Sequence, residues 1–301
     1  MFQKKICNFA LGTRPHASGA FPFDKTESMN KKQKILYISQ EITPYLRETP
    51  MGLVCKVLPQ KVQEKGYEAR AFMPKYGCIN ERRNQLHEVI RLSGINLVID
   101  DTDHPLIIKV ATLQSAKMQV YFIDSDDYFQ HHAVTDLEIR ETPEDNDERI
   151  MFFTRGVMET VKKLRWEPAV THCSGWVTAL APLYLKKAYA DDPTVGGSPV
   201  VYSLFDDTFD GALDPRFKEK LLMDGFTEED LKSLGDSPAT ALALNKLAID
   251  HSDGVIQASQ TVPAELVEYA IASGKPFLPY QGEEIDGAPV VEFYDSIRNN
   301  P

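Results

Sequence analysis

The sequence predicts an α/β fold built on an open, mostly parallel and doubly wound sheet. Three observations carry this prediction: short apolar runs, intervening segments whose apolar residues recur at helical spacing, and Gly or Pro at the boundaries. Strand, helix and strand in alternation form βαβ units, whose crossovers are right-handed. The 301 residues, 43% of them hydrophobic and 26% charged, suffice for a substantial core in a globular protein.

The first βαβ unit begins with an apolar run at 35–38, which follows a lysine-rich stretch and predicts a buried parallel strand. After a loop containing prolines, apolar residues over 54–62 recur at helical spacing, and Gly66 marks the end of that helix. A second strand is predicted at 69–73, where Pro74 ends it.

Residues 86–124 differ in character from the rest. Short β-rich runs, separated by Gly, Asp and a His-Pro pair, predict antiparallel strands inserted in the sheet or lying at its edge. An acidic polar loop is expected at 124–148, and apolar residues at helical spacing over 150–164 predict an amphipathic helix. The predicted architecture is therefore a doubly wound sheet with a β-rich insertion.

After that helix, predicted strands and helices alternate again. Strands are predicted at 169–172, 199–205 and 254–258, and helices at 176–188, 239–248 and 263–272. One short segment follows Gly274, and the chain then ends in polar residues. We therefore expect a leader at 1–30, a main domain at 31–280 and a C-terminal tail at 281–301.

The leader is expected to be disordered and dispensable, because Pro, Gly and Ser punctuate it and it has neither helical nor strand periodicity. Lys4 and Lys5 precede only a short apolar piece without a clear cleavage site, so the leader does not resemble a signal peptide. Ordered patterning begins just after Met29, which is a candidate start of the protein.

The charge of the chain narrows the classes of partner. The formal net charge of -11 and the pI of about 5.2 disfavour nucleic acid and anionic membranes, because both need clustered Lys and Arg. No run approaches the roughly 18 apolar residues of a membrane helix. The four cysteines are widely spaced without a CxxC pair, which predicts reduced thiols in a cytoplasmic protein.

No metal and no cofactor are expected. His131 and His132 lie near Asp126 and Asp127 in the sequence, but adjacent side chains on an extended loop point apart, and no second ligand pair has a suitable spacing. The acidic run at 206–210 is interpreted as a solvated loop.

Several segments carry a resemblance to a known family. They read QEITP and RETPMGLV within 40–54, GYEARAFMPKYG at 66–77, VYFID at 120–124, DNDER at 145–149, and WEP and ALAPLYL within 166–185. In this order and spacing they resemble the catalytic domain of the ADP-glucose-dependent starch and glycogen synthases, over about residues 34–275.

The resemblance implies a glycosyltransferase built from two Rossmann-like domains with the active site between them. In that family the second domain carries most of the nucleotide-sugar site. This chain ends where that domain should begin, so a single Rossmann-like half, the acceptor-side one, is expected.

The chain departs from the family pattern in the first loop, which the resemblance identifies as a glycine-rich phosphate and sugar loop. Arg47 stands at the family's lysine, and Thr49 and Pro50 stand at two of its glycines. Pro has no N–H to offer to a phosphate. Only Gly52 of those glycines remains, and Leu53 replaces an aspartate.

A second departure lies in the family's HDWH segment, which reads SGWV at 174–177, so both histidines and the aspartate are replaced. Another family histidine aligns with Phe205. Retaining glucosyl transfer needs fixed groups beside the anomeric carbon and positive groups on the departing diphosphate. No catalytic residue is therefore assigned.

Six residues are candidates for substrate binding, and each has a structural alternative: Glu41, Arg47, Gly52, Asp145, His172 and Trp176.

Glu41 either hydrogen-bonds a sugar hydroxyl at the carboxyl end of its strand or is a solvated loop acid. Arg47 is either an anion contact or an exposed cation.

Asp145 either binds sugar or caps a helix, because Glu148 three residues later completes a capping-box pattern. His172, at the end of an apolar strand, is either catalytic or a satisfied structural histidine. Trp176 either stacks on a sugar or packs in the core.

Two functional hypotheses follow. The first is a starch or glycogen synthase-like protein of glucan metabolism, related to enzymes that transfer glucose from ADP-glucose to an α-1,4-glucan but catalytically degenerate when alone. The second is a non-catalytic module that binds a glucan, a sugar nucleotide or a protein. The candidate partners are an α-glucan, weakly bound ADP-glucose, and a protein or second copy that covers the cleft.

Overall fold

The computed structural model describes residues 32–130 and 144–299, and of residue 130 it describes the backbone alone. The predicted leader at 1–30, Met29 and the His131-His132 pair lie outside the described residues. The described residues belong to one compact unit.

Within the described ranges, ten strands form the sheet: β1 Lys34–Ser39, β2 Glu68–Pro74, β3 His87–Glu88, β4 Ile95–Ile99, β5 Thr102–Leu113, β6 Met118–Asp124, β7 Val170–Ser174, β8 Val200–Leu204, β9 Gly254–Gln257 and β10 Phe277–Leu278. The α-helices among the described residues are α1 Pro50–Glu64, α2 Glu81–Asn84, α3 Asn146–Leu164, α4 Leu180–Lys186, α5 Phe217–Met223, α6 Ala241–His251, α7 Ala264–Ala272 and α8 Gly287–Asn299.

The strand order is β10-β9-β8-β7-β1-β2-β6-β5-β3, with β4 paired to β5. The seven strands from β10 to β6 are parallel to one another. The chain adds β2 and β6 on one side of β1 and then returns to place β7 on the other side. The order therefore reverses between β1 and β7, and this switch point confirms the doubly wound α/β prediction.

The β-rich insertion lies at one edge of the sheet, where β5 runs antiparallel to β6 and also pairs with β3 and β4. One part of the sequence interpretation is wrong. The run at 120–123 lies in β6, which pairs parallel with β2 and thus belongs to the central sheet. Residues 120–123 are all buried, as expected for a strand covered on both faces.

The predicted helix at 176–188 is divided into two elements. Trp176–Thr178 forms a 3₁₀ turn, and α4 begins at Leu180. Every residue from 176 to 185 is buried, so packing and not amphipathic periodicity holds this segment. Among the described helices, none combines the length and hydropathy that crossing a bilayer requires.

Helix α8 lies in the C-terminal stretch for which the sequence analysis assigned no element. Its buried residues Val290, Phe293, Tyr294 and Ile297 follow the i, i+3, i+4, i+7 spacing of one helix face. The helix packs on α1 and over β9. A Cβ at Gly254 would lie 2.3 Å from the Cδ1 of Ile297, so this close approach requires glycine.

Candidate ligand-binding cleft

The described residues form a cleft with two adjoining chambers beyond the carboxyl ends of the parallel strands. The larger, of about 500 Å³, lies between the first turn of α1 and the segments that follow β9 and β10. The smaller, of about 210 Å³, lies between that turn and the residues that follow β1 and β8. Both are bordered by Thr49, Pro50 and Ser259. Ligands of open α/β sheets bind at this edge, in pockets of about 300–1,000 Å³.

Thr49 caps the helix that begins at this cleft. Its backbone is extended, and its hydroxyl oxygen accepts a hydrogen bond from the Gly52 backbone N–H at 2.9 Å. The hydroxyl group also donates to the Glu41 carboxylate. Pro50 is the first helical residue and has no N–H. Two amides that could face an anion at this helix end are therefore absent or already bonded.

Gly52 lies against the strand-loop connection that precedes the helix. A Cβ at this position would lie 2.9 Å from the Thr43 Oγ1 and 3.1 Å from the Thr49 Oγ1. Any side chain here would therefore displace both hydroxyl groups. Packing of the loop explains the glycine without a ligand.

Glu41 is 1% exposed, so the solvated-acid alternative is wrong. It follows β1 directly and borders the smaller chamber. The burial arises because the loop at 42–49 folds back over the strand end, where Thr49 reaches the carboxylate. A role toward a sugar hydroxyl stays a prediction.

Arg47 is exposed and borders neither chamber. The charged side chains that do border them are carboxylates: Glu41, Glu48, Asp206, Asp207 and Glu283. Among the described lining residues there is no Lys, Arg or His. The cleft is therefore acidic, and the structure gives no support to Arg47 as an anion contact within it.

Residues 34–287 match the model of a protein family that is described as "Starch synthase catalytic domain". The chain belongs to this starch synthase family. It is 37% identical over 193 residues to a glycogen synthase of Chlorobium luteolum, which covers 64% of this chain and 40% of the relative. It is 32% identical over 235 residues to a glycogen synthase of Pelodictyon phaeoclathratiforme, covering 78% of this chain and 47% of the relative. The chain thus spans less than half the length of these relatives.

A solved structure has the same fold. The catalytic domain of starch synthase IV from Arabidopsis thaliana, bound to ADP and acarbose, matches with a TM-score of 0.65 and 18% identity. The match covers 83% of this chain and 51% of that chain. It confirms the Rossmann-like architecture expected from the resemblance.

Asp145 and Glu148 do not form the capping box that the family's DNxxR segment predicts from sequence. Asp145 is at the start of α3, yet its side chain makes no capping hydrogen bond and instead pairs with Arg149 at 2.6 Å. Glu148 accepts from the Tyr128 hydroxyl at 3.0 Å and from Lys220 Nζ at 2.6 Å. Asp145 is thus held by a residue one turn along the same helix and Glu148 by two residues distant in the sequence, and neither carboxylate borders the two chambers.

A buried ion network, which no sequence pattern indicated, joins the start of α3 to α5. Lys220 Nζ lies 2.6 Å from the Asp147 carboxylate, and the two side chains are 4% and 0% exposed. Burial raises the pKa of Asp147. Tyr128 extends the network to His104 Nε2 at 3.1 Å. Lys220 sits in a short, charged helix, so no local pattern distinguishes it from an exposed lysine.

His172 is a fully bonded side chain in β7. Its Nδ1 lies 2.5 Å from the Tyr294 hydroxyl, and its Nε2 lies 2.6 Å from the Ser203 Oγ. Only 1% of the residue is exposed, and burial lowers its pKa to about 3. The imidazole is therefore neutral near pH 7 and occupied by structural partners, which fits the structural alternative.

Trp176 is fully buried, and its ring centroid lies 4.6 Å from that of Phe209. Its backbone N–H donates to Asp207 at 2.9 Å. The ring presents no face for a sugar, and the stacking alternative does not hold. Asp207 is half-buried by this contact, so the acidic loop after β8 is only partly solvated, with Asp206 and Asp210 exposed.

Residues that follow β9 and β10 supply the cleft wall that the sequence analysis did not predict, with Ser259, Gln260, Thr261, Tyr280 and Glu283 among them. Within the described ranges, no group of three His, Cys, Asp or Glu side chains is arranged to hold a metal ion.

Proposed function

We propose that this member of the starch synthase family binds an α-glucan in its cleft and does not transfer glucose when alone. The observation that carries the proposal is the helix start at the cleft. Thr49 occupies the Gly52 N–H, Pro50 offers none, and the carboxylates of Glu41 and Glu48 flank the same turn.

The acidic lining favours a neutral ligand over a nucleoside diphosphate sugar. A carboxylate about 4 Å from a phosphate costs about 4 kcal/mol at an effective dielectric of about 20, and about 1 kcal/mol when solvated. A glucan carries no such charge. Its hydroxyl groups are donors, and carboxylates accept charge-assisted hydrogen bonds from them.

The residues that align with the family's histidines support the proposal that the chain alone does not transfer glucose. Ser174 is the last residue of β7, Val177 follows that strand, and Phe205 follows β8. Val and Phe side chains have neither proton nor charge to offer an oxocarbenium-like transition state or a departing phosphate. The acidic net charge and the free thiols of Cys55 and Cys173 fit a cytoplasmic location.

Calorimetric titration of the full chain with maltoheptaose, ADP-glucose and ADP tests the binding proposal. We expect saturable maltoheptaose binding, and ADP-glucose and ADP binding no tighter than millimolar. A coupled assay of glucose transfer from ADP-glucose to glycogen tests the second part, with no turnover expected. Turnover by the pure chain, or low-micromolar ADP-glucose binding, would favour the enzyme hypothesis instead.

A further inference from the structure

The segment that joins β10 to α8, residues 279–286, forms one wall of the larger chamber. Tyr280, Gly282, Glu283 and Ile285 border that chamber opposite Thr49, Pro50 and Leu53 at the start of α1. Tyr280 is half-buried. Among the described residues, its hydroxyl group makes no hydrogen bond and its ring no aromatic contact.

This wall is held at both ends. On one side β10 pairs with β9 through Phe277 and Leu278. On the other side α8 begins at Gly287, where a Cβ would lie 2.9 Å from the Cβ of Lys61 in α1. Tyr294 then ties α8 to His172 in the sheet at 2.5 Å. An aromatic side chain on a segment anchored at both ends loses little freedom on binding a ligand.

The chemistry around Tyr280 selects a ligand class. Tyr280 contributes an aromatic surface, Glu283 and Glu48 contribute carboxylates, and Ser259 and Gln260 contribute neutral polar groups. A pyranose ring has an apolar face of C–H groups and a rim of hydroxyl donors. It matches an aromatic plane edged by acceptors, whereas a phosphate meets no cation among these residues.

We propose that Tyr280 is a stacking platform for one glucose residue of an α-glucan, with Glu283 and Glu48 accepting hydrogen bonds from its hydroxyl groups. This inference rests on the proposed glucan-binding function and names the subsite within the cleft. It makes the C-terminal stretch, with α8 as its anchor, part of the binding site.

The first test is titration of the full chain and its variants with maltoheptaose. We expect Tyr280→Ala to weaken binding at least about tenfold and Tyr280→Phe, which keeps the ring, to stay within about threefold of the unmodified chain. Ile271→Ala, at an exposed position on α7, is the control and leaves affinity unchanged. Thermal unfolding of each variant confirms that it is folded.

The second test reports on the ring itself. The two tryptophans of the chain, Trp166 and Trp176, are buried. In Tyr280→Trp the added indole should therefore dominate any fluorescence change on adding maltoheptaose. We expect a blue shift that saturates with the calorimetric affinity.

The outcomes separate the two proposals. Unchanged maltoheptaose binding by Tyr280→Ala, or an unshifted indole in a Tyr280→Trp variant that binds, overturns the role of Tyr280 and leaves glucan binding standing. Absence of maltoheptaose binding by the unmodified chain overturns both.

Discussion

His172 and Tyr294 are 122 residues apart in the sequence, yet the Nδ1 of the histidine lies 2.5 Å from the tyrosine hydroxyl. The Tyr294 hydroxyl also lies 3.3 Å from that of Tyr37 in β1. This contact joins the last helix to two central strands. It also places the cleft wall at 279–286, because α8 fixes where that segment ends.

Tyr294→Phe should lower the free energy of unfolding by about 1–3 kcal/mol, because it leaves the buried His172 Nδ1 without this partner. Urea unfolding monitored by circular dichroism measures the change. Tyr67→Phe is the matched control. It removes a half-buried hydroxyl group that donates a hydrogen bond at 3.0 Å to Asp295, the neighbour of Tyr294 on α8. It should cost less than about 1 kcal/mol. Equal losses of unfolding free energy in the two variants would contradict the prediction that the buried Tyr294 hydroxyl contributes more to stability.

His172 should make stability depend on pH. Its folded pKa is lowered to about 3 by burial, from 6.5. Between these values the unfolded chain binds more protons than the folded chain, so stability falls as pH drops below about 6.5, by up to about 1.4 kcal/mol per pH unit. Urea unfolding at pH 7, 6 and 5 should show a shallower loss in His172→Gln than in the unmodified chain. His87→Gln, at an exposed site, should leave the slope unaltered.

Gly175 follows β7 at the switch point with a φ of 89°. An added Cβ would lie 2.7 Å from the Gln40 Oε1 and 3.0 Å from the Met51 Sδ. Gly175→Ala should therefore cost about 2 kcal/mol or more, from backbone strain and crowding together. Gly197→Ala, where no atom lies within 4 Å of the added Cβ, should stay within about 0.5 kcal/mol. Thermal and urea unfolding compare the pair, and a neutral Gly175→Ala would contradict the tight packing.

Lys220 and Lys218 offer another matched pair, two residues apart at the start of α5. Lys220→Met leaves the buried Asp147 carboxylate without its cation and should cost about 3–5 kcal/mol. Lys218 pairs with the exposed Glu228, so Lys218→Met should change stability little. The prediction fails if chemical unfolding finds both substitutions equally mild.

Most of the parallel sheet could be predicted from the sequence, because a strand buried on both faces is a continuous apolar run. In β7 and β8 every residue is buried. Helix α8 could not be predicted, because its four large buried side chains, at 290, 293, 294 and 297, are spread among other residues. What makes them a core face is the space left by Gly254 and the surface of α1, both distant in the chain.

The part of the cleft formed by residues at strand ends could be predicted from the sequence. The part formed by segments that pack there through long-range contacts could not. Glu41 follows β1, so the rule for open sheets places it at the ligand edge. Tyr280 reaches the cleft because β10 and α8 anchor its segment on either side, through contacts with residues distant in the sequence. The failed capping box shows the same limit for Glu148, whose carboxylate is bonded by Tyr128 and Lys220, both distant in the sequence. Asp145 is instead paired with Arg149 on the next turn of α3.

The start of α1 gives the last prediction, which concerns anion binding. Replacing Thr49 and Pro50 by Gly together restores one N–H and frees the Gly52 N–H from the Thr49 hydroxyl. Gly at a helix cap costs only a few tenths of a kcal/mol relative to Thr, so the helix should persist.

Each recovered charge-assisted hydrogen bond is worth about 1.5–3 kcal/mol, so the double variant should bind ADP at least about tenfold more tightly than the unmodified chain. Arg47→Lys should not improve binding, because Arg47 borders neither chamber. Thr49→Ser, which keeps the capping hydroxyl, is the control and should bind ADP as weakly as the unmodified chain. Calorimetric titration with ADP distinguishes these variants. A low-micromolar dissociation constant for the unmodified chain would falsify the claim that this helix start no longer holds a phosphate.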